Sequence, residues 1–444
     1  MNRRSHPEAA QVPTRAAVFR ARVFVLLRFS VLFWACAYFA LVAISGHTYL
    51  RSFAFGFALI FALWLILGAL FSDGEAIPVP DAYLWIPVLA WAAWSAASYA
   101  WSIHPAYTRA ELGTEIGWGL ATATIFYVAA RAGPAFRALT ATAVGAAALL
   151  ACLAIKAALA DGDFNPEVAL LRSHGGVGAF STYIALAMPM LPLLLAPRPA
   201  GFGASRWSIA VAVLVFVLLL VAARLTENRM IWVAFAAGSL VAALLAAWRW
   251  RTRLARAPLR WGGVLFVLLV ILGSLFVDAA IKRTHTDYAR ETSVAKAIAE
   301  DPRFVLWQHT FERIRERPWT GFGFGKSILR EELQGELGDP LLAHAHNLFV
   351  SQWLQTGIVG AACLLALLLA LVWRYWTFLR APDGTLAAIG LAGLVMLLTF
   401  VVKNVTDDFM IRPTSKEFWA LNALLIGYGI RRVRIASPAA AAGK

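Results

Sequence analysis

The sequence predicts an all-helical protein that crosses a membrane about twelve times, and three observations carry that prediction. Hydrophobic residues make up 60% of the 444 and charged residues only 15%, for a mean hydropathy of +0.68, which is more apolar than a soluble domain of this length can be. The apolar residues come in blocks long enough to span a hydrocarbon core of about 30 Å. The basic residues sit in short loops between those blocks, so the formal charge of +15 reflects topology and not a nucleic-acid-binding face.

The blocks fall near 23–46, 52–72, 82–101, 112–131, 136–160, 177–196, 206–223, 230–248, 261–281, 347–373, 385–403 and 417–431. The polar, arginine-bearing start leads into the first block with no small-residue cleavage site, which predicts a retained helix and no cleaved signal peptide. An even number of spans puts both termini on one side. Arg3, Arg4, Arg15, Arg20 and Arg22 precede the first block, Arg249, Arg251, Arg253, Arg256 and Arg260 crowd the eighth loop, and Arg431, Arg432 and Arg434 follow the last. The positive-inside rule makes these cytoplasmic. Trp101, Trp207, Trp248, Trp250, Trp261 and Trp376 lie near block ends, as interfacial anchors do. The connection 73–81 runs against the rule, holding Asp73, Glu75 and Asp81 with no basic residue. Cys36, Cys152 and Cys363 all fall in apolar blocks, where they read as packing residues, so neither a disulfide nor a cysteine metal site is expected.

Three parts follow: 1–281 with the N-terminus and spans one to nine, an outer loop over 282–346, and 347–444 with the last three spans and a tail that is expected to be disordered beyond Pro438. The loop carries ten basic and ten acidic residues. Within it Phe304, Trp307, Phe311 and Ile314 recur at helical spacing, which predicts an amphipathic helix on the membrane or over the bundle, ended by Pro318 and the Gly321, Gly323, Gly325 run.

The polar groups that could carry chemistry share the outer side: Arg172 and His174 before span six, Arg224 and Arg229 about the short loop before span eight, Arg303 at the start of the amphipathic helix, and His344 and His346 at the end of the long loop. Positive charge in so short an outer loop is unexpected, and arginine in the core costs about 2.5 to 3.5 kcal/mol, so Arg229 points to an anionic ligand. The alternative is that Arg224 and Arg229 snorkel to headgroups or pair with Glu227. By spacing alone Arg303 is a solvated residue beside Asp301, Arg313, Arg315 and Arg317 form a solvated face, and Asp407 and Asp408 make a hydrated loop. Gly321 to Ser327, Gly-Phe-Gly-Phe-Gly-Lys-Ser, mimics the end of a phosphate-binding loop but has three residues between Gly321 and Gly325 where four are needed, and it follows a helix, so nucleotide binding is rejected. His344 and His346 could chelate a metal, but no third ligand stands at useful spacing.

His346-Asn347, nine residues, then Gly357 and Gly360, followed by Ala361 where glycine, threonine or tyrosine is frequent, resembles the Wzy_C superfamily of membrane polysaccharide ligases and polymerases, and within it the O-antigen ligases. The stretch from Arg303 through Trp307 to Pro318-Trp319-Thr320-Gly321-Phe322-Gly323 is similar to the family's segment before that histidine, and Asn228-Arg229 to its arginine at a helix start. The resemblance covers about 165–370 and implies a GT-C-like fold with one large periplasmic loop between helices 9 and 10, in the bacterial inner membrane. It implies an undecaprenyl diphosphate-linked O-antigen as donor and a lipid A-core hydroxyl as acceptor, with no cofactor and no metal. Arg229 and Arg303, with Arg172 as a further partner, would meet the diphosphate, and His346 the acceptor proton, with His344 left in hydrated loop. A polymerase, a protein O-oligosaccharyltransferase or, from another class, a lipid-linked glycan flippase are the competing readings. The gathering of polar groups on one side speaks against the flippase.

Overall fold

A backbone in hydrocarbon has no water to bond, so each long apolar segment must close its own hydrogen bonds as a helix. The computed structural model describes residues 15–42, 48–71, 77–160, 174–195, 206–251, 258–287, 302–338 and 343–436, and each of the twelve blocks is mainly helical where it is described. Arg172, the arginines at positions 3 and 4, the eighth-loop arginines at 253 and 256, and the tail after Pro438 lie outside the described residues.

The helices are α1 (Arg15–Val42), α2 (Thr48–Leu70), α3 (Ala82–Ala97), α4 (Pro105–Glu111), α5 (Trp118–Ala129), α6 (Gly133–Ala160), α7 (Val177–Leu194), α8 (Arg206–Leu225), α9 (Arg229–Arg249), α10 (Pro258–Asp287), α11 (Pro302–Glu316), α12 (Arg330–Leu337), α13 (Leu348–Arg380), α14 (Gly384–Asn404) and α15 (Arg412–Ala436). Among the described residues, eight are long and apolar enough to cross a membrane: α1, α2, α6, α7, α8, α9, α13 and α14. The other four blocks fall short for separate reasons. The α-helical part of α3 is short, a π-helical turn separates α4 from α5, the apolar part of α10 covers only Leu265–Asp278, and α15 carries Lys416, Glu417, Arg431, Arg432 and Arg434.

Helix α13 packs on α3 and α14, α14 on α9, α15 on α5, and α1 on α2. Trp91, Tyr183, Trp232, Tyr375, Phe400 and Phe418 are fully buried between them. On α8, Trp207, Val211, Val213, Leu214, Val217 and Val221 stand exposed, as do Phe266, Val267, Val270 and Ile271 on α10. An apolar rim of this extent belongs to a multi-pass membrane protein and not to one bathed in water.

One expectation is corrected here. The stripe on α11 is rotated: Leu306, Thr310 and Ile314 are buried, whereas Phe304 is 50% and Phe311 39% exposed. Leu306 and Ile314 share a small core with Phe322, Ile328, Leu329, Leu333 and Leu354, so α11 caps the end of α13 through the i, i+4 line and leaves the two phenylalanines outside. The connection 73–81 holds no cation of its own, but Asp81 at its end pairs with Arg374 of α13 at 3.0 Å. At the same end Arg432 grips Asp383 at 2.7 Å and Arg249 donates to the carbonyls of Leu379 and Ala381.

Candidate active site

At the opposite end, the turn into α13 takes its form from Asn347. Its Oδ1 caps the helix, accepting from the N–H groups of Phe349 (2.9 Å) and Val350 (3.1 Å), and its Nδ2 donates to the carbonyl of Val405 (2.9 Å). One side chain therefore ties the head of α13 to the 405–411 loop. His346, just before the cap, is held at φ +48°, a left-handed conformation that costs a non-glycine residue on the order of 1–3 kcal/mol and persists only where its surroundings impose it. The rings of His344 and His346 lie 3.8 Å apart, centroid to centroid.

Asp407 is the hub. Its Oδ1 accepts from His344 Nε2 at 3.1 Å, from Lys326 Nζ at 3.2 Å and from the N–H of Asp408 at 2.7 Å, and lies 3.6 Å from His346 Nδ1. Burial alone would push the Asp407 carboxyl up, but Lys326 and the two histidines outweigh it and hold the group well below the usual carboxylate range. Burial pushes the His344 imidazole down to about 3 against the pull of Asp407, so His344 is a neutral donor through Nε2. Because His346 turns Nδ1 toward the carboxylate, its Nε2 is on the far side of the ring. A base oriented through one nitrogen to work through the other is the arrangement proton transfer needs.

The Gly321 to Ser327 run supplies Lys326. Helix α13 breaks at Gly357, whose φ of +69° suits glycine and where an added Cβ would collide with the Trp319 carbonyl. The carbonyls freed at the break accept from the run: Leu354 from Phe322 N (3.1 Å) and Gln355 from Gly323 N (2.9 Å). Phe324 N donates to Ser98 Oγ, Gly325 N to Gln355 Oε1 and Ser327 N to Tyr107 OH. With the N–H groups of Gly321 to Gly325 and of Ser327 engaged by the protein, the run is a strap seated in the kink. At Gly360 a Cβ would meet Thr356 and Trp94, so both glycines of the motif answer to close approach.

Arg303 opens α11 over this end and lies within electrostatic reach of Lys403, which itself feels Asp407. Arg229 begins α9 behind an Asn228 cap, whose Oδ1 accepts from Met230 N at 3.0 Å. Gly238 of α9 faces Thr399 of α14 while Arg249 reaches the carbonyls before α14, so the two helices run antiparallel. That register sets the Arg229 backbone at the level of the 405–411 loop. Arg224 pairs with Asp278 of α10, neither with Glu227 nor as a free headgroup anchor.

Three expectations fail against this geometry. Asp407 and Asp408 are not a hydrated loop: Asp408 is 3% exposed, and Asp407 is locked in the cluster. His344 is not hydrated either, its side chain being 14% exposed. The missing third donor for the histidine pair is Asp407, far away in sequence but near in space, and the three donor atoms all lie within 4.8 Å of one another. Lys326, Lys403, Glu115 and Glu417 were overlooked as well. Glu417 pairs with His174 at 2.9 Å, and Glu115 accepts from the N–H of Arg412 at 2.7 Å. The signal was there, since Lys403, Glu115 and Glu417 are ionisable residues inside or at the mouth of apolar blocks.

Apolar helices around a titratable cluster at one end, roofed by a short helical cap, define a multi-pass membrane protein with a candidate site at that end. Residues 214–365 match the Wzy_C family, described as O-antigen ligase, so the resemblance carried by the His346 motif holds over that segment. A protein of Rickettsia prowazekii named as a polysaccharide ligase is 29% identical over 135 residues, 26% of this chain and 32% of that protein. A general O-oligosaccharyltransferase of Acinetobacter baylyi is 24% identical over 172 residues, 37% of this chain and 29% of that protein. The matches thus span about a third of the length of these curated relatives. The family segment holds Arg229, Arg303, Lys326 and both histidines and stops short of Asp407.

Proposed function

We propose that the protein is an O-antigen ligase, a glycosyltransferase of the bacterial inner membrane that moves O-antigen from undecaprenyl diphosphate to a sugar hydroxyl of lipid A-core on the periplasmic face. The observation that carries this reading is the oriented histidine: His346, held in a left-handed turn with Nδ1 toward the half-buried Asp407 carboxylate, at the head of the helix that the family motif defines. The match over 214–365 supports the class of reaction.

In the step we envisage, the acceptor oxygen attacks the anomeric carbon of the donor and the carbon–oxygen bond to the diphosphate breaks. The acceptor proton passes to His346 Nε2, undecaprenyl diphosphate leaves, and the anomeric centre inverts. Arg229 and Arg303, with Arg172 alongside, meet the charge that develops on the leaving group, for which the planar guanidinium fork suits phosphate oxygens. The reaction needs no metal, because arginines neutralise the leaving group and Lys326 already neutralises Asp407.

A purified-protein assay with a lipid-linked glycan and lipid A-core, run with and without EDTA, tests the proposal. Joining is expected in both arms. Transfer to a hydroxyl-bearing protein and not to lipid A-core would move the reading to that of the O-oligosaccharyltransferase relative, joining donor to donor would make it a polymerase, and loss in EDTA restored by magnesium would overturn the metal-free step.

A further inference from the structure

Two imidazoles and a carboxylate within 4.8 Å of one another form a donor set that zinc or cobalt accepts readily, yet the shared oxygen of this set is already engaged by a lysine. Lys326 arrives from the strap, an element separate from both histidines and from Asp407. Its Nζ lies 3.2 Å from Asp407 Oδ1 and 2.6 Å from the Asp408 carbonyl, with the Phe409 ring 5.7 Å away, and the side chain is only 12% exposed. The strap cannot swing it out, because its neighbours Gly325 and Ser327 are bonded to Gln355 and Tyr107.

We infer that Lys326 is a tethered cation standing in the place of a metal ion in the His344, His346 and Asp407 cluster, and that through Asp407 it positions His346. A dication approaching the cluster meets a fixed ammonium already bound to one of the two Asp407 carboxylate oxygens, so the site stays closed to exchangeable metals. An ammonium also leaves the imidazole nitrogens uncoordinated, whereas a metal would take the ring that the reaction uses. The electrostatic surroundings are mixed: Glu111 and Asp408 act on Lys326, and Lys403 acts on both Asp407 and Arg303. The positioning role rests on the reading of His346 as the acceptor base, while the cation role does not.

Zinc binding by the purified, untagged protein tests it. Isothermal titration with Zn2+ is run on the wild type, Lys326→Ala, Lys326→Met, which keeps the length of the buried stem, Lys326→Arg, and Lys326→Met combined with His344→Ala. The alanine and methionine variants are expected to take up one zinc at least tenfold more tightly than the wild type. The arginine variant should behave like the wild type, and the double variant should lose the gained site. Transfer by the methionine variant should then be inhibited by zinc at concentrations that leave the wild type and the arginine variant active. Wild-type protein binding zinc as tightly as the variants, or folded variants gaining no affinity, would overturn the inference. If His346→Ala transfers normally, the reading of the base fails while the zinc result still decides whether Lys326 is the resident cation.

Discussion

A single oxygen, Asp407 Oδ1, gathers His344, Lys326 and a backbone N–H and faces His346, so the residues of this site cannot be valued one at a time. Removing the proposed base should cost the most: His346→Ala is expected to lower transfer about a hundred to ten thousandfold with donor binding intact. His344 is read from the sequence as part of a hydrated loop, but with its ring 3.8 Å from that of His346 and its Nε2 bonded to Asp407 it braces the proposed base, and His344→Ala is expected to lower transfer by about tenfold, since a small misplacement at a reacting centre is felt strongly. Rates for both variants, with donor affinity measured alongside, check the order; a larger loss at 344 would reverse the assignment. The same histidine gives a pH prediction. Its folded value of about 3 lies below its ordinary 6.5, so on acidification from about 6.5 toward 3 the unfolded chain binds a proton that the folded chain refuses, and stability falls. Asp407, held low, contributes above the ordinary carboxylate value and is lost only as pH drops beneath it. Melting temperatures between pH 7.5 and 4.5 should therefore fall more steeply for the wild type than for His344→Gln, which keeps a donor but cannot take the proton; parallel curves would contradict the buried neutral imidazole.

At the scale of elements, the break in α13 is what turns a spacing pattern into a site. Gly357 interrupts the helix, the strap docks on the freed carbonyls, and the strap delivers Lys326 to Asp407. Gly357→Ala combines a strained φ, costing on the order of 1–3 kcal/mol, with a collision against Trp319, so it should lower both melting temperature and transfer. Gly384→Ala, at the open start of α14, should change neither, and similar losses in the two would show that the kink is not special. The letters of this element were legible: His346, Asn347, Gly357 and Gly360 stand in order at the head of α13. The cause was not, because the partner of each glycine lies on another segment, and no local pattern announces that a carbonyl at 354 will be satisfied by an N–H at 322. The rotated face of α11 has the same origin. Apolar periodicity finds a helix, but which of two apolar lines is buried depends on the neighbour it meets.

Across the whole molecule, charge divides between the two ends. Arg249, Arg374 and Arg432 cluster with Asp81, Asp383 and helix-end carbonyls at one end, while Asp407, Lys326 and the histidine pair occupy the other. Hydropathy read the helical, multi-pass character, although among the described residues only eight of the twelve blocks are helices long and apolar enough to cross a membrane, and it read the candidate site poorly, because Asp407 and Lys326 are 81 residues apart and meet only in the folded bundle. What it also supplied is a direction. The end rich in arginine is expected to face the cytoplasm, where the positive-inside rule puts it, which sends the 282–346 segment and the His346 cluster to the outer face where a lipid-linked glycan and its acceptor would meet. Single cysteines in a background lacking Cys36, Cys152 and Cys363 test this directly. A cysteine at Gly335, in α12 of the cap, should react in intact cells with a reagent that cannot cross the inner membrane, and one at Leu254, in the arginine-rich loop, should react only after lysis. The reverse pattern would put the cluster on the cytoplasmic face, where neither a translocated donor nor a periplasmic acceptor could reach His346, and the ligase reading would fall with it.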